Sequence, residues 1–284
     1  MDKDDIKFWS RISNKIMGDA HEAIKPLVGM EDAGKVVKMG ADGTPTKFID
    51  LVAEEKVVEI LEEVERPITL VSEEIGEYKI GKGPSEAVFV VDPLDGTRNA
   101  IKNIPAYGIS VAVADPSGIL NSATSINELT IDDVEIGFVK NFATDDIYNA
   151  QRGGGAFLNG NHISPSPRTD VSGSSIGAYI YRAEMSKIDK LCKTVRSMRI
   201  LGSVAIELCY VADGTYDAFL DVRGNLRIVD ISAAKLIIEE SKGLVTDENC
   251  KPLKSGLNVL DRTSIVASCN KNIHKEIIEI LGGI

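Results

Sequence analysis

The stretch VFVVDPLDGTRN, residues 88–99, decides how the rest of the chain is read. Val88 to Val91 form an unbroken run of β-favouring apolar residues, the pattern of a strand buried on both faces. Asp92 and Asp95 follow, with Pro93 between them and Gly96–Thr97 behind. Pro93 has no N–H for a ladder, so the strand is expected to end there and both carboxylates to emerge at its carboxyl end, where α/β proteins place ligands. Two carboxylates and the carbonyl of Leu94 make a hard, all-oxygen donor set that suits magnesium better than zinc or copper. Gly96 and Thr97 are expected to start a helix whose free N–H groups can receive a phosphate oxygen. Taken alone, DPLDG also fits a structural turn, because Asp-Pro and Asp-Gly are common turn pairs.

Acids elsewhere favour the metal reading. Glu73 and Glu74 follow the strand-like ITLV after a single serine, and adjacent like charges repel unless they are solvated or neutralised by a cation. Asp230 follows LRIV and opens the helix-like ISAAKLIIEES, where aspartate also serves as an ordinary N-cap.

Composition bounds the rest. At 284 residues, 43% of them hydrophobic, the chain suits one large unit or two closely packed ones with a substantial core. Four scattered cysteines without a C-x-x-C pair indicate neither a zinc knuckle nor a disulfide framework, so a reduced, cytoplasmic protein is expected. No signal-like N-terminus and no run of 18 apolar residues is present. A net charge of −11 argues against nucleic-acid or anionic-lipid partners, and a bound cation would invert the field locally for an anionic substrate.

Periodicity predicts helices over 5–28 and 49–64, the second with an outer belt of glutamates read as solvated, and a glycine-rich loop over 29–45 between them. Strands are expected at ITLV, AVFVV, GISVAVA, VEIGFV, DIYNAQ and SIGAYIY, and a tight reversal at AQRGGGAFLNGNHI. From residue 186 helices (186–195, 203–212, 230–242, 271–281) alternate with strands (197–201, 216–221, 244–246, 263–268), giving a mixed α/β fold with two packed subdomains, roughly 1–180 and 181–284. His21, His162 and His274 lack partners at ligand spacing, GGG at 153–155 is followed by no helix, and Ser203 reads as a helix N-cap beside the substrate pocket.

In this order and with these spacings, SEE (72–74), DPLDGTRN (92–99) and VDISAAK (229–235) closely resemble the inositol monophosphatase family of magnesium-dependent, lithium-sensitive phosphatases. TKFIDLVAEE (46–55) and GGGAFLNG (153–160) extend the resemblance over most of the chain. It implies a layered αβαβα fold of the α/β (α+β) class, a homodimer and two or three Mg2+ ions per site. Glu73, Asp92 and the Leu94 carbonyl would hold the first ion, Asp92, Asp95 and Asp230 the second, and Glu73 with waters a third. Asp50 and Thr97, with Glu74 nearby, match the residues that activate the attacking water; Gly96 and Thr97 would offer N–H groups to the phosphate, and Lys38 falls in the family's mobile catalytic loop. Val229 stands where many members carry tryptophan.

The segment DVRGNLRIVD (221–230) is similar to an archaeal branch that hydrolyses both inositol monophosphate and fructose 1,6-bisphosphate. Arg199, Arg223 and Arg227 are then candidates for a second phosphate, with surface arginines as the plain alternative. Asp221 matches the acid that contacts sugar hydroxyls, although two extra residues lengthen this turn. The expected substrate is a phosphorylated sugar or polyol. Rival readings are a 3′,5′-bisphosphate nucleotidase or NADP phosphatase, which needs a base-stacking site while aromatics make up only 5% of the chain, and a non-catalytic phosphate-binding protein, which would be expected to have lost metal ligands.

Overall fold

The structure, a computed structural model, describes residues 1–117 and 128–282. Helix α1 (Lys3–Ile24) is capped by the Asp2 carboxylate, which accepts the Asp4 and Asp5 N–H groups. It ends before the expected Val28, because the chain tightens into a 3-10 turn at Lys25–Leu27 around Pro26. The expected loop over 29–45 instead contains a short ribbon, β1 (Val36–Met39) and β2 (Pro45–Lys47), leading straight into α2 (Phe48–Glu62).

Eight strands then form one sheet, with α3 (Thr97–Lys102) inserted: β3 (Ile68–Ser72), β4 (Gly76–Ile80), β5 (Ala87–Asp95), β6 (Gly108–Ala114), β7 (Val134–Asn141), β8 (Ile147–Gln151), β9 (Gly155–Leu158) and β10 (Asn161–His162). Their order is β10-β9-β8-β7-β6-β5-β3-β4, with β3 and β5 parallel. The remainder is β11 (Ser175–Ala178), α4 (Met185–Thr194), β12 (Ser197–Arg199), α5 (Val204–Ala212), β13 (Ala218–Arg227), α6 (Ile228–Glu240), β14 (Leu244–Thr246), β15 (Arg262–Ser268) and α7 (Lys271–Leu281). Its five strands run in the order β12-β11-β13-β15-β14. The division between the sheets falls between His162 and Ser175.

The layering follows from strands that are apolar on both faces. Along β5, Phe89 and Val91 join a core with Trp9, Ile16, Ile49 and Val57 of α1 and α2, while Val88 and Val90 join Ile206, Ile231 and Ala234 of α5 and α6. The second sheet packs against α5 and α6 through Phe219 and Ile265, and against α4 and α7 through Leu220 and Val266. Five alternating layers, αβαβα, result, as expected.

Several sequence features are absorbed by this packing. The GGG turn donates the Gly153 and Gly155 N–H groups to the two Glu240 carboxylate oxygens at 2.8 and 2.9 Å, so its anion-binding capacity is used inside the fold. His274 is buried, with Nδ1 2.7 Å from Ser268 Oγ and Nε2 2.9 Å from Thr246 Oγ1. The belt on α2 is not uniformly solvated: Glu54 is buried and accepts the Ser72 hydroxyl at 2.7 Å.

Candidate active site

A bulge, rather than a strand end, brings Asp92 and Asp95 together. β5 continues through Pro93, and its pairing with β6 slips from Asp92↔Ser110 to Asp95↔Gly108. Side chains three apart on a regular strand lie on opposite faces. One extra residue restores the face, and Pro93, lacking an N–H, is suited to an interrupted ladder. The expectation that the ladder stops at Pro93 is thus corrected. Gly96 follows with φ +84°, where a Cβ would stand 2.7 Å from the Ala106 carbonyl oxygen, so only glycine fits. Helix α3 then starts at Thr97, whose hydroxyl donates to the Leu94 carbonyl at 3.2 Å.

Asp50 and Asp230 occupy equivalent places on α2 and α6. Each is the third residue of its helix and accepts the N–H of the residue three before it: Lys47 at 3.0 Å and Arg227 at 3.3 Å. Asp230 therefore lies one turn inside the helix start rather than at the cap itself. Asp50 Oδ1 is buried and accepts no hydrogen bond among the described residues.

Arg227 occupies the centre of the acids. Its guanidinium bonds both Asp230 oxygens at 2.7–3.1 Å, contacts Glu73, and reaches Asp42 at 3.4 Å and Asp92 at 3.8 Å. Arg227, a candidate for a second phosphate, is thus engaged by the acids while it lines the cleft beside them. Asp42, in the β1–β2 turn, was not foreseen; its side chain is fully buried and also accepts the Thr44 N–H and hydroxyl, each at 2.8 Å. The same ribbon holds Glu74 through the Thr46 hydroxyl.

Asp95 reaches across to α5. Its carboxylate accepts the Ser203 hydroxyl at 2.6 Å and the Val204 and Ala205 N–H groups at 3.2 and 2.7 Å. Ser203 does sit at the N-cap position, but its hydroxyl goes to Asp95, and Asp95 takes over the capping.

These carboxyls are costly to ionise. Burial, opposed by Arg227, pushes Glu73 up to about 8; burial with the neighbouring Asp230 charge pushes Asp95 up to about 7. Burial, Glu73 and Asp230 hold Asp92 well above the usual carboxylate range, and burial raises Glu54 to about 7. A carboxyl with a higher pKa folded than unfolded binds its proton more tightly in the fold, so stability falls as pH rises between the two values. Metal-free protein, kept in chelator, is therefore expected to melt at a lower temperature at pH 8 than at pH 6. Added Mg2+ should raise the midpoint more at pH 8, because metal ligands must be deprotonated. Equal midpoints at both pH values would contradict this electrostatic picture.

Among the described residues, no group of three or more acid, histidine or cysteine side chains is arranged as a ready cation cage; the Arg227 guanidinium lies between Glu73, Asp92 and Asp230. The donor set nevertheless suits a hard divalent cation. It is all oxygen, its members repel one another, and Asp92 Oδ2 is buried without a hydrogen-bond donor.

Beside the acids lies a cleft of about 550 Å³. Asp50, Glu73, Leu94, Asp95, Gly96, Thr97, Arg223, Arg227 and Asp230 line it, joined by Lys47, Arg98, Tyr179, Tyr181 and Asn225, which the sequence reading had not singled out. Asp221 does not face the cleft. It is fully buried and clamps Arg223 with two bonds of 2.5 and 2.8 Å, so its expected sugar contact is corrected to a positioning role. Arg199 stands apart on β12, bonded to the Ser197 and Ser175 hydroxyls, and does not line this cleft. Lys38 is exposed on β1, where its charge only partly offsets the burial that raises the pKa of Glu54 and Glu74.

Residues 6–283 match the inositol monophosphatase family. The chain belongs to that family. A fructose-1,6-bisphosphatase/inositol-1-monophosphatase of Methanothermobacter thermautotrophicus is 51% identical over 99% of both chains. A bifunctional NADP phosphatase/NAD kinase of Methanocaldococcus jannaschii is 40% identical, with this chain spanning half of its length. A crystal structure described as an inositol monophosphatase–fructose 1,6-bisphosphatase superposes with a TM-score of 0.83 at 30% identity, covering 96% of this chain and 99% of that one. The inositol monophosphatase fold and family expected from the three motifs both hold, and with them the enzyme class, phosphoric monoester hydrolysis. No helix among the described residues is long and apolar enough to cross a membrane.

Proposed function

We propose that the protein is a Mg2+-dependent phosphomonoesterase that hydrolyses inositol 1-phosphate and fructose 1,6-bisphosphate. The observation that carries this reading is the convergence of Glu73, Asp92, Asp95 and Asp230 beside a cleft lined by Asp50, Thr97, Arg98 and Arg223. Relatives named for both activities support the substrate pair. Glu73, Asp92, the Leu94 carbonyl, Asp95 and Asp230 would hold two or three ions, whose contribution when bound is charge neutralisation and a more acidic water. The rest falls to the chain's own groups. Asp50, with Oδ2 held by the Lys47 N–H and the Thr97 hydroxyl beside its carboxylate, accepts the proton of the attacking water, with Thr97 fixing its approach. Gly96 and Thr97 N–H groups bind the transferred phosphate, and Arg98, Lys47 and the clamped Arg223 attract the remaining anionic group. The family resemblance implies a homodimer, and the scattered cysteines a reduced, cytoplasmic setting.

A panel tests this directly: phosphate release from inositol 1-phosphate, fructose 1,6-bisphosphate, adenosine 3′,5′-bisphosphate and NADP, with Mg2+ or chelator. Mg2+-dependent release from the first two is expected. No metal-dependent release from any substrate would sink the enzyme reading in favour of a binding protein.

One observation favours NADP as a further substrate. The low aromatic content argued against a base-stacking site, yet Tyr181 lines the cleft at 51% exposure with the Arg223 guanidinium 4.2 Å from its ring centroid. An adenine stacked there would gain from ring and guanidinium together. Tyr181→Ser is expected to lower kcat/KM for NADP about tenfold, the value of one base–aromatic stack, while leaving inositol 1-phosphate unchanged. An equal effect on both substrates would remove the stacking argument.

A further inference from the structure

Glu207 is a buried acid that the reaction described above does not use. It lies one turn into α5, is fully buried, and folds back so that Oε2 accepts the N–H groups of Leu201 and Gly202, each at 3.1 Å. Burying a carboxylate is expensive, and a merely apolar residue would fill the space at no such cost. Its effect is on the turn it grips. Gly202 has φ +96°, and on the turn's other side Asn99 Nδ2 donates to the Leu201 carbonyl at 2.8 Å and to the Ala106 carbonyl at 2.7 Å. The turn is therefore held from both sides, by its N–H groups and by its carbonyl.

The residues that leave this turn are the three donors to Asp95: the Ser203 hydroxyl and the Val204 and Ala205 N–H groups. Between them they fix the rotation of the Asp95 carboxylate. We infer that Glu207 is a positioning residue for Asp95, setting the 201–203 turn so that the Asp95 carboxylate is presented in one orientation to a divalent cation. The inference rests on the proposed metal site, in which Asp95 is a ligand. It explains why a polar acceptor is kept where an apolar side chain could pack: one oxygen with two lone pairs receives two adjacent backbone N–H groups at once.

The test is Mg2+ binding by titration calorimetry on the full chain without substrate. Glu207→Met removes the acceptor and is expected to weaken the ion held by Asp95 about tenfold, the usual cost of losing a group that orients a ligand. Glu207→Gln keeps one acceptor oxygen and should restore affinity to within twofold, which a purely charge-based role would not allow. Gly202→Ala leaves Glu207 intact but strains an exposed turn at positive φ, so it folds independently of the Glu207 variants and should show the same loss. Wild-type affinity in Glu207→Met, or in Gly202→Ala should the first variant not fold, overturns the inference while leaving the metal site in place. Failure of the unaltered protein to bind Mg2+ would instead overturn the proposed function.

Discussion

Asp92→Asn is expected to lower phosphate release on the order of a thousandfold, the scale of removing a group that stabilises transition-state charge, without unfolding the protein. Asp92 is 1% exposed, and its Oδ2 receives no hydrogen bond among the described residues. In metal-free protein its charge is a liability, because burial and the charges of Glu73 and Asp230 all oppose its ionisation. An amide of the same shape removes that liability. The metal-free melting temperature should therefore stay level or rise, while the increment produced by Mg2+ disappears. The pairing of a level or raised melting point with lost turnover distinguishes a ligand from a structural residue. Near-normal activity in this variant would show the metal assignment to be wrong.

Arg227→Met should show the opposite pattern. Removing one partner of a buried ion pair costs roughly 3–5 kcal/mol, and here one guanidinium serves Glu73, Asp230, Asp92 and Asp42 together. The metal-free melting temperature is expected to drop by roughly 10 °C, as a domain of this size loses a few degrees per kcal/mol. Mg2+ should recover most of the loss, since a divalent cation neutralises the same oxygens. A variant that melts like the unaltered protein in chelator would show that Arg227 is not the acids' counter-charge.

Much of this site is legible in the sequence. The ligand candidates were readable because each follows a strand-like run or opens a helix, and apolar periodicity marks both. The periodicity was clear enough to place β14 at 244–246 and α7 at 271–281 to the residue. The ribbon over 36–47 was missed because β1 is exposed along its whole length and so shows no inside–outside alternation. Asp42 went with it, its carboxylate hidden among ordinary turn residues. Glu54 was misread because it shares a helix with exposed glutamates, and one residue's facing cannot be judged from a charge belt. Arg227 did leave a signal: it stands three residues before Asp230 across a helix start, a spacing at which the two side chains meet. Asp221 and Arg223, two apart on a strand and so on one face, left a similar one.

The bulge at Pro93 has a consequence for reading sequences as well as structures. A strand counts in twos, so acids at odd spacing have opposite parity and cannot serve one site. DPLD breaks that rule, and the single inserted residue converts an odd interval into an even one. The motif is thus a frameshift written into a ladder: deleting Leu94 would leave the two acids two apart on a regular strand, still on one face, and what it would take away is the bulge and the Leu94 carbonyl held between them.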